Sequence, residues 1–163
     1  MAEQKPKPSI EEIAADFLDG EKLKNFLDFN ESLKKKNLSK SATSTGKNGY
    51  QGWAVRYKGY MIAHFRAYKD YWFISYFKSV DINKCEEFVS DELKEFILGN
   101  IVTPLCQGCK GHDNRMILGK KFNKVCGCHL LHLKNPEGKA LEYAKELIVI
   151  NKNIVDSIST DKS

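Results

Sequence analysis

Apolar residues recur at helical spacing in four stretches of the chain and alternate with period two in a fifth, and these rhythms set out the architecture. Ser9 and Glu12 have the spacing of a capping box, in which hydroxyl and carboxylate each take a free backbone N–H of a helix start. Ile13, Phe17 and Leu18 then predict a short helix that stops near Asp19-Gly20. Leu23, Phe26, Leu27 and Leu33 place a second helix on one stripe. Lys34, Lys35 and Lys36 at its end complement the helix dipole without any ligand.

Residues 37–49 are polar and read as a surface loop. Thr45-Gly46-Lys47 in this stretch is not a phosphate loop. Ser41 stands where the first glycine should be, and Asn48 follows the lysine in place of Ser or Thr.

From Trp53 the period changes to two. Trp53, Val55 and Tyr57 alternate with Ala54, Arg56 and Lys58, and Gly59 marks a turn. Tyr60 to Arg66 and Tyr71 to Lys78 follow as further strands, separated by a turn at Lys69-Asp70. Trp72, Ile74 and Tyr76 fall on one face of the third strand; Tyr71, Phe73, Ser75 and Phe77 fall on the other. Aromatic residues favour strands, so core packing explains them first. An exposed aromatic face remains the functional alternative.

Helical spacing returns at Ser90, a cap followed by Asp91 and Glu92, with Leu93, Phe96, Ile97 and Ile101 as the buried stripe and Pro104 as its end. Asn135-Pro136 reads as the start of a last helix carrying Ala140, Leu141, Ala144, Leu147 and Ile148. The expected fold is α+β. It has two N-terminal helices, a three-stranded antiparallel meander, a helix, a zinc-binding loop segment and a C-terminal helix. Residues 1–8 are expected as a disordered tail before a single domain over 9–158, and the last few residues as disordered.

Composition narrows the class. With 42% hydrophobic and 29% charged residues in 163, the chain can bury a core and is not a disordered polymer. No apolar run is long enough to span a bilayer, and the N-terminus lacks the apolar stretch of a secretory signal, so a cytoplasmic protein without a membrane role is expected. Five cysteines are an odd number for a disulfide framework, and four of them lie between Cys106 and Cys128. Cys85 stands apart and reads as a buried thiol.

The clustered segment carries the chemistry. It reads Cys106-x-x-Cys109-x-x-His112, then Cys126-Gly127-Cys128-His129 and His132. A Cys-x-x-Cys turn with a second ligand pair about 15–20 residues later is the pattern of a tetrahedral, zinc ribbon-like site. Cys106, Cys109 and Cys126 are the core ligands, with His112 and Cys128 competing for the fourth place. His129 and His132 rank below them, because histidines flanking an apolar pair such as Leu130-Leu131 are usually packed or exposed. Six basic residues and one acid, Asp113, give the stretch from Cys106 to Lys134 the chain's whole net charge of +5. Lysines near zinc thiolates offset their negative charge, so the basic stretch fits a structural Zn2+ before it argues for nucleic acid.

The order of meander, helix, Cys-x-x-Cys-x-x-His, Gly119-Lys120-Lys121-Phe122, Cys126 and Asn135-Pro136 resembles a family of small uncharacterised bacterial proteins. The resemblance spans roughly Gly52 to Ile150. It implies zinc ligation by the Cys106, Cys109, His112 and Cys126 positions, the third being often Cys in that family. Cys128 has no counterpart there, which leaves the ligand set open. The family implies no activity.

Three functions are compatible with these residues. The first is a non-enzymatic zinc-stabilised module that binds a small molecule or a protein, through a pocket lined by residues such as Trp53, Phe65, Trp72 or Tyr76. The second is nucleic-acid binding through Arg115, Lys120, Lys121 and Lys124. An enzyme is the least supported, since no carboxylate is patterned beside His64, His129 or His132.

Overall fold

The capping box at Ser9 forms: its hydroxyl accepts the Glu12 N–H, and the Glu12 carboxylate accepts the Ser9 N–H at 2.7 Å. A computed structural model describes residues 7–43, 49–77, 79–102 and 112–160. Most of the expected N-terminal tail, Thr45-Gly46-Lys47, Pro104, Cys106, Cys109 and the last three residues lie outside the described residues.

Helix α1 (Ile10–Ala15) ends earlier than its apolar stripe suggests, leaving Phe17 and Leu18 in the turn before α2 (Gly20–Lys34). Asn30 on the buried side of α2 joins three elements. Its amide donates to Glu11 at 2.8 Å and its oxygen accepts from Lys40, also at 2.8 Å. That pairing satisfies a polar group that burial would otherwise penalise.

Lys40 belongs to β1 (Ser39–Ala42), a strand inside the stretch read as a loop. It pairs antiparallel with β2 (Gln51–Tyr57), Lys40 opposite Val55. As an edge strand it exposes most of its side chains, so no apolar alternation marks it and only backbone pairing reveals it.

The meander itself is present. Strand β3 (Tyr60–Tyr68) pairs with β2 and with β4 (Tyr71–Phe77), all antiparallel. The sheet is larger than three strands. Strand β7 (His129–Lys134) pairs with β4 and gives a five-stranded order β1-β2-β3-β4-β7. The segment expected as a zinc-binding loop is thus largely strand, since β5 (His112–Ile117) and β6 (Lys120–Cys126) form a second, two-stranded sheet before β7.

Two further boundaries differ from the sequence reading. Helix α3 (Asp91–Gly99) stops at Asn100, whose side chain donates to the Phe96 carbonyl, and Ile101 leaves the helix to bridge Leu131 of β7. Asn135 does not cap the last helix. It accepts the Trp72 N–H at 2.8 Å through its side chain, which locks the end of β4 against β7, and α4 (Gly138–Thr160) begins three residues later.

One face of the sheet lies under the helices. Trp53, Phe65, Ile74 and Leu133 lie in register across four strands, and all are buried. Phe26 of α2 meets Trp53 and Trp72 edge-to-face, the geometry favoured by the ring quadrupoles, and Phe65 at a tilt, with ring centroids 5.4–5.6 Å apart. Helix α4 adds Leu141, Ala144, Leu147 and Ile148. Tyr76 reaches it by donating its hydroxyl to the Ala144 carbonyl. A 3-10 helix (Ile82–Phe88) and α3 complete the core, with Cys85 buried among them and its thiol pushed up first by burial and then by Asp81. Among the described residues no helix is long and apolar enough to cross a membrane.

Candidate metal group and open sheet face

Strand β6 ends at Cys126, and the two-residue bend Gly127-Cys128 turns the chain into β7. This bend, rather than strand alternation, brings the two thiols together: their Sγ atoms are 3.9 Å apart. Cys128 Sγ lies 3.5 Å from His129 Nδ1. All three ligand atoms fall within 4.8 Å of one another, with Cys126 buried, Cys128 exposed and His129 between these extremes. A disulfide needs sulfurs about 2.05 Å apart, so Cys126 and Cys128 are not bonded to each other. The group can hold a metal ion.

The backbone around it has a clear frame. Cys126 donates its N–H to Val102, and Val102 donates its own to Leu130 of β7, both at 3.0 Å. The short piece Ile101–Val102 therefore stitches the β5-β6 hairpin to the edge of the main sheet. His112 is the residue opposite Cys126 in the hairpin register. Both flanks of the segment bearing Cys106 and Cys109, Val102 and His112, are thus bonded or paired to Cys126.

His129 flanks an apolar pair that favours packing, yet its ring joins the thiol group. The reason is a bulge. Phe77 pairs with His129 while Tyr76 pairs with Leu131, so Leu130 is an extra residue in β7. Strict alternation puts His129 and His132 on opposite faces; one inserted residue restores both to the same face. Their rings are 6.5 Å apart, with His129 against Phe77 at 4.9 Å and His132 against Phe73 at 4.2 Å. The adjacent thiol at Cys128 was the one available sequence signal for His129.

That face is the one the helices do not cover. A cavity of about 290 Å³ lies on it, lined by Tyr50, His64, Arg66, Phe77 and His129 among others. The side chains named from sequence as a pocket lining, Trp53, Phe65, Trp72 and Tyr76, are buried in the core on the opposite face. His64 is placed by two bonds. Arg66 Nε–H donates to Nδ1 at 3.0 Å, so the neutral ring carries its proton on Nε2, which lies 3.2 Å from Thr43 Oγ1. Burial first, then the charges of Arg66 and His129, hold His64 down at about 4. Loss of solvent around its ring, then His129 and Arg66, bring His132 to about 4 as well. Burial and Arg66 also lower His129. All three imidazoles are therefore neutral at pH 7, the form that ligates metals.

The basic residues of the hairpin sit apart from this face. Lys120, Lys121 and Lys124 are exposed on β6, and Arg115 lies 3.5 Å from Asp113. No protein-family model, curated protein or solved structure matches this chain.

Proposed function

We propose that this protein is a non-enzymatic binding module that holds one structural zinc ion and offers the open face of its sheet to a ligand, a small molecule or a protein. The observation that carries the reading is the position of His129, which belongs to the thiol group and also lines the open-face cavity. On a tetrahedral zinc ion, sulfurs at about 2.3 Å and a ring nitrogen at about 2.0 Å stand roughly 3.8 Å and 3.5 Å apart. The corresponding separations here are 3.9 and 3.5 Å. Two thiolates and an imidazole are also the donor set that suits zinc over magnesium or calcium.

The remaining candidates for the fourth place are those of the sequence pattern, Cys106, Cys109 and His112. A four-ligand, closed coordination sphere makes the ion structural. The role that follows is to pin the hairpin and β7 to the sheet edge. The resemblance read from the sequence would instead give Cys106, Cys109, His112 and Cys126, and single substitutions separate the two sets.

The test is metal content per chain, with Cys106, Cys109, His112, Cys126, Cys128 and His129 replaced singly. One zinc per wild-type chain is expected, lost in Cys126→Ser and Cys128→Ser and weakened in His129→Ala. Removal of the ion by a chelator should lower the unfolding midpoint. Wild-type protein that is folded and metal-free overturns the reading.

A further inference from the structure

The open face carries a row of rings that the core does not need. Tyr68 stacks on Tyr71 with centroids 4.7 Å apart, Tyr50 lies tilted against Tyr68 at 4.9 Å, and Phe73 stands edge-on to Tyr68 and Tyr71. All four are partly exposed. A cation closes each end of the row: Arg66 lies over Tyr50 at 5.2 Å and Lys134 over Tyr71 at 4.9 Å. Neither cation has a carboxylate partner among the described residues. No acidic residue occupies a strand position on this face, which the register assigns to Gly52, Ala54, His64, Arg66, Phe73, Ser75, His132 and Lys134.

From these features we infer that the open face binds single-stranded nucleic acid, with bases stacking on the tyrosine row and phosphates drawn to Arg66 and Lys134. The inference goes beyond the proposed function: it keeps this face as the binding surface and puts a nucleic-acid strand there in place of a small molecule or a protein. Two observations favour a strand. Six residue steps separate Tyr71 from Phe77 along β4, about 20 Å at strand rise, enough for the two or three bases that antiparallel sheets stack. Rings interleaved with cations, without acids, complement a polyanion with flat bases.

The mechanism differs from recognition by the hairpin lysines, because stacking contributes as well as charge. The cations already rest on ring faces. Binding a strand moves them from a cation–π contact to a phosphate, and a base takes the ring surface so exposed.

The experiment titrates full-length, metal-loaded protein into fluorescein-labelled dT12 and U12 oligonucleotides and follows anisotropy at several salt concentrations. Binding is expected to weaken with salt. Tyr68→Ala and Tyr71→Ala should each reduce affinity by roughly 5- to 100-fold, while Tyr71→Phe retains it. Arg66→Gln and Lys134→Gln should each make the log–log salt slope shallower by roughly 0.7. Metal content and unfolding midpoint, measured on the same samples, separate this result from the zinc proposal. A metal-loaded, folded protein that binds neither oligonucleotide at low salt overturns the inference. So does binding that ignores all four face substitutions and is lost in the Lys120→Gln, Lys121→Gln, Lys124→Gln triple variant.

Discussion

The two faces of the sheet are built from the same residue types and do opposite work. On the covered face Trp53, Phe65 and Trp72 interlock with Phe26 and Phe29 of α2, and none is more than 3% exposed. On the open face Tyr50, Tyr68, Tyr71 and Phe73 touch one another and two cations instead of a helix. Aromatic content alone does not separate core from surface. What separates them is the company each ring keeps: aliphatic and aromatic neighbours on one side, and Arg, Lys, His and hydroxyls on the other.

The strongest way to break this contrast is to truncate one ring on each face. Trp72→Ala should cost about 3–5 kcal/mol, because it removes transfer energy and leaves a cavity under α2. Tyr71→Ala should cost about 1 kcal/mol or less, since its ring is partly solvated and meets neighbouring rings and Lys134 rather than a helix. Denaturant melts of both variants read the difference, and equal losses would erase the distinction. Trp72→Phe sharpens it further. The buried indole N–H has no hydrogen-bond partner among the described residues, so only volume is lost and the cost should be well below that of Trp72→Ala.

A smaller effect tests whether the open face has its own packing. A Cβ at Gly52 would lie 2.6 Å from Thr43 Oγ1 and 2.9 Å from His64 Nε2, the pair that is hydrogen-bonded there. Gly52→Ala should therefore destabilise by about 1–3 kcal/mol and disturb His64. If stability and the His64 resonances stay unchanged, that side of the face is looser than these contacts indicate.

The pH dependence tests the same side of the face. His64 titrates at about 4 in the folded protein and near 6.5 as an ordinary side chain. Between these values the unfolded chain binds a proton that the native state refuses. Its contribution to stability is therefore full above about pH 6.5 and is lost as pH falls toward 4. Imidazole chemical shifts followed by NMR check the point directly. A His64 resonance that titrates near 6.5 would show an exposed ring instead of the neutral, doubly bonded one.

The helices and the meander were legible in the sequence because their signals are local. Ser9 and Glu12 lie within hydrogen-bonding reach along the chain, and the period of Trp53, Val55 and Tyr57 is that of the strand itself. β1 was not legible, because an edge strand held by backbone pairing leaves Ser39, Lys40 and Ser41 as polar as a loop. Nor were the ends of α3 and the start of α4. Ile101 looks like one more helical apolar position, yet its β-bridge is to Leu131, and Asn135 looks like a cap until Trp72 takes its side chain.

For the candidate site, residue types and spacing by themselves determined that thiols and imidazoles gather toward the C-terminal third, with Cys126 and Cys128 among them. They also determined that aromatics load both faces of the meander, since side chains along a strand alternate whatever packs on them. Only the tertiary structure decided which face is covered, because that depends on where α2 and α4 dock from distant parts of the chain. It also decided that His129 joins the thiols. That outcome turns on one extra residue, Leu130, in the pairing of β7 with β4, and a register is a property of two strands together.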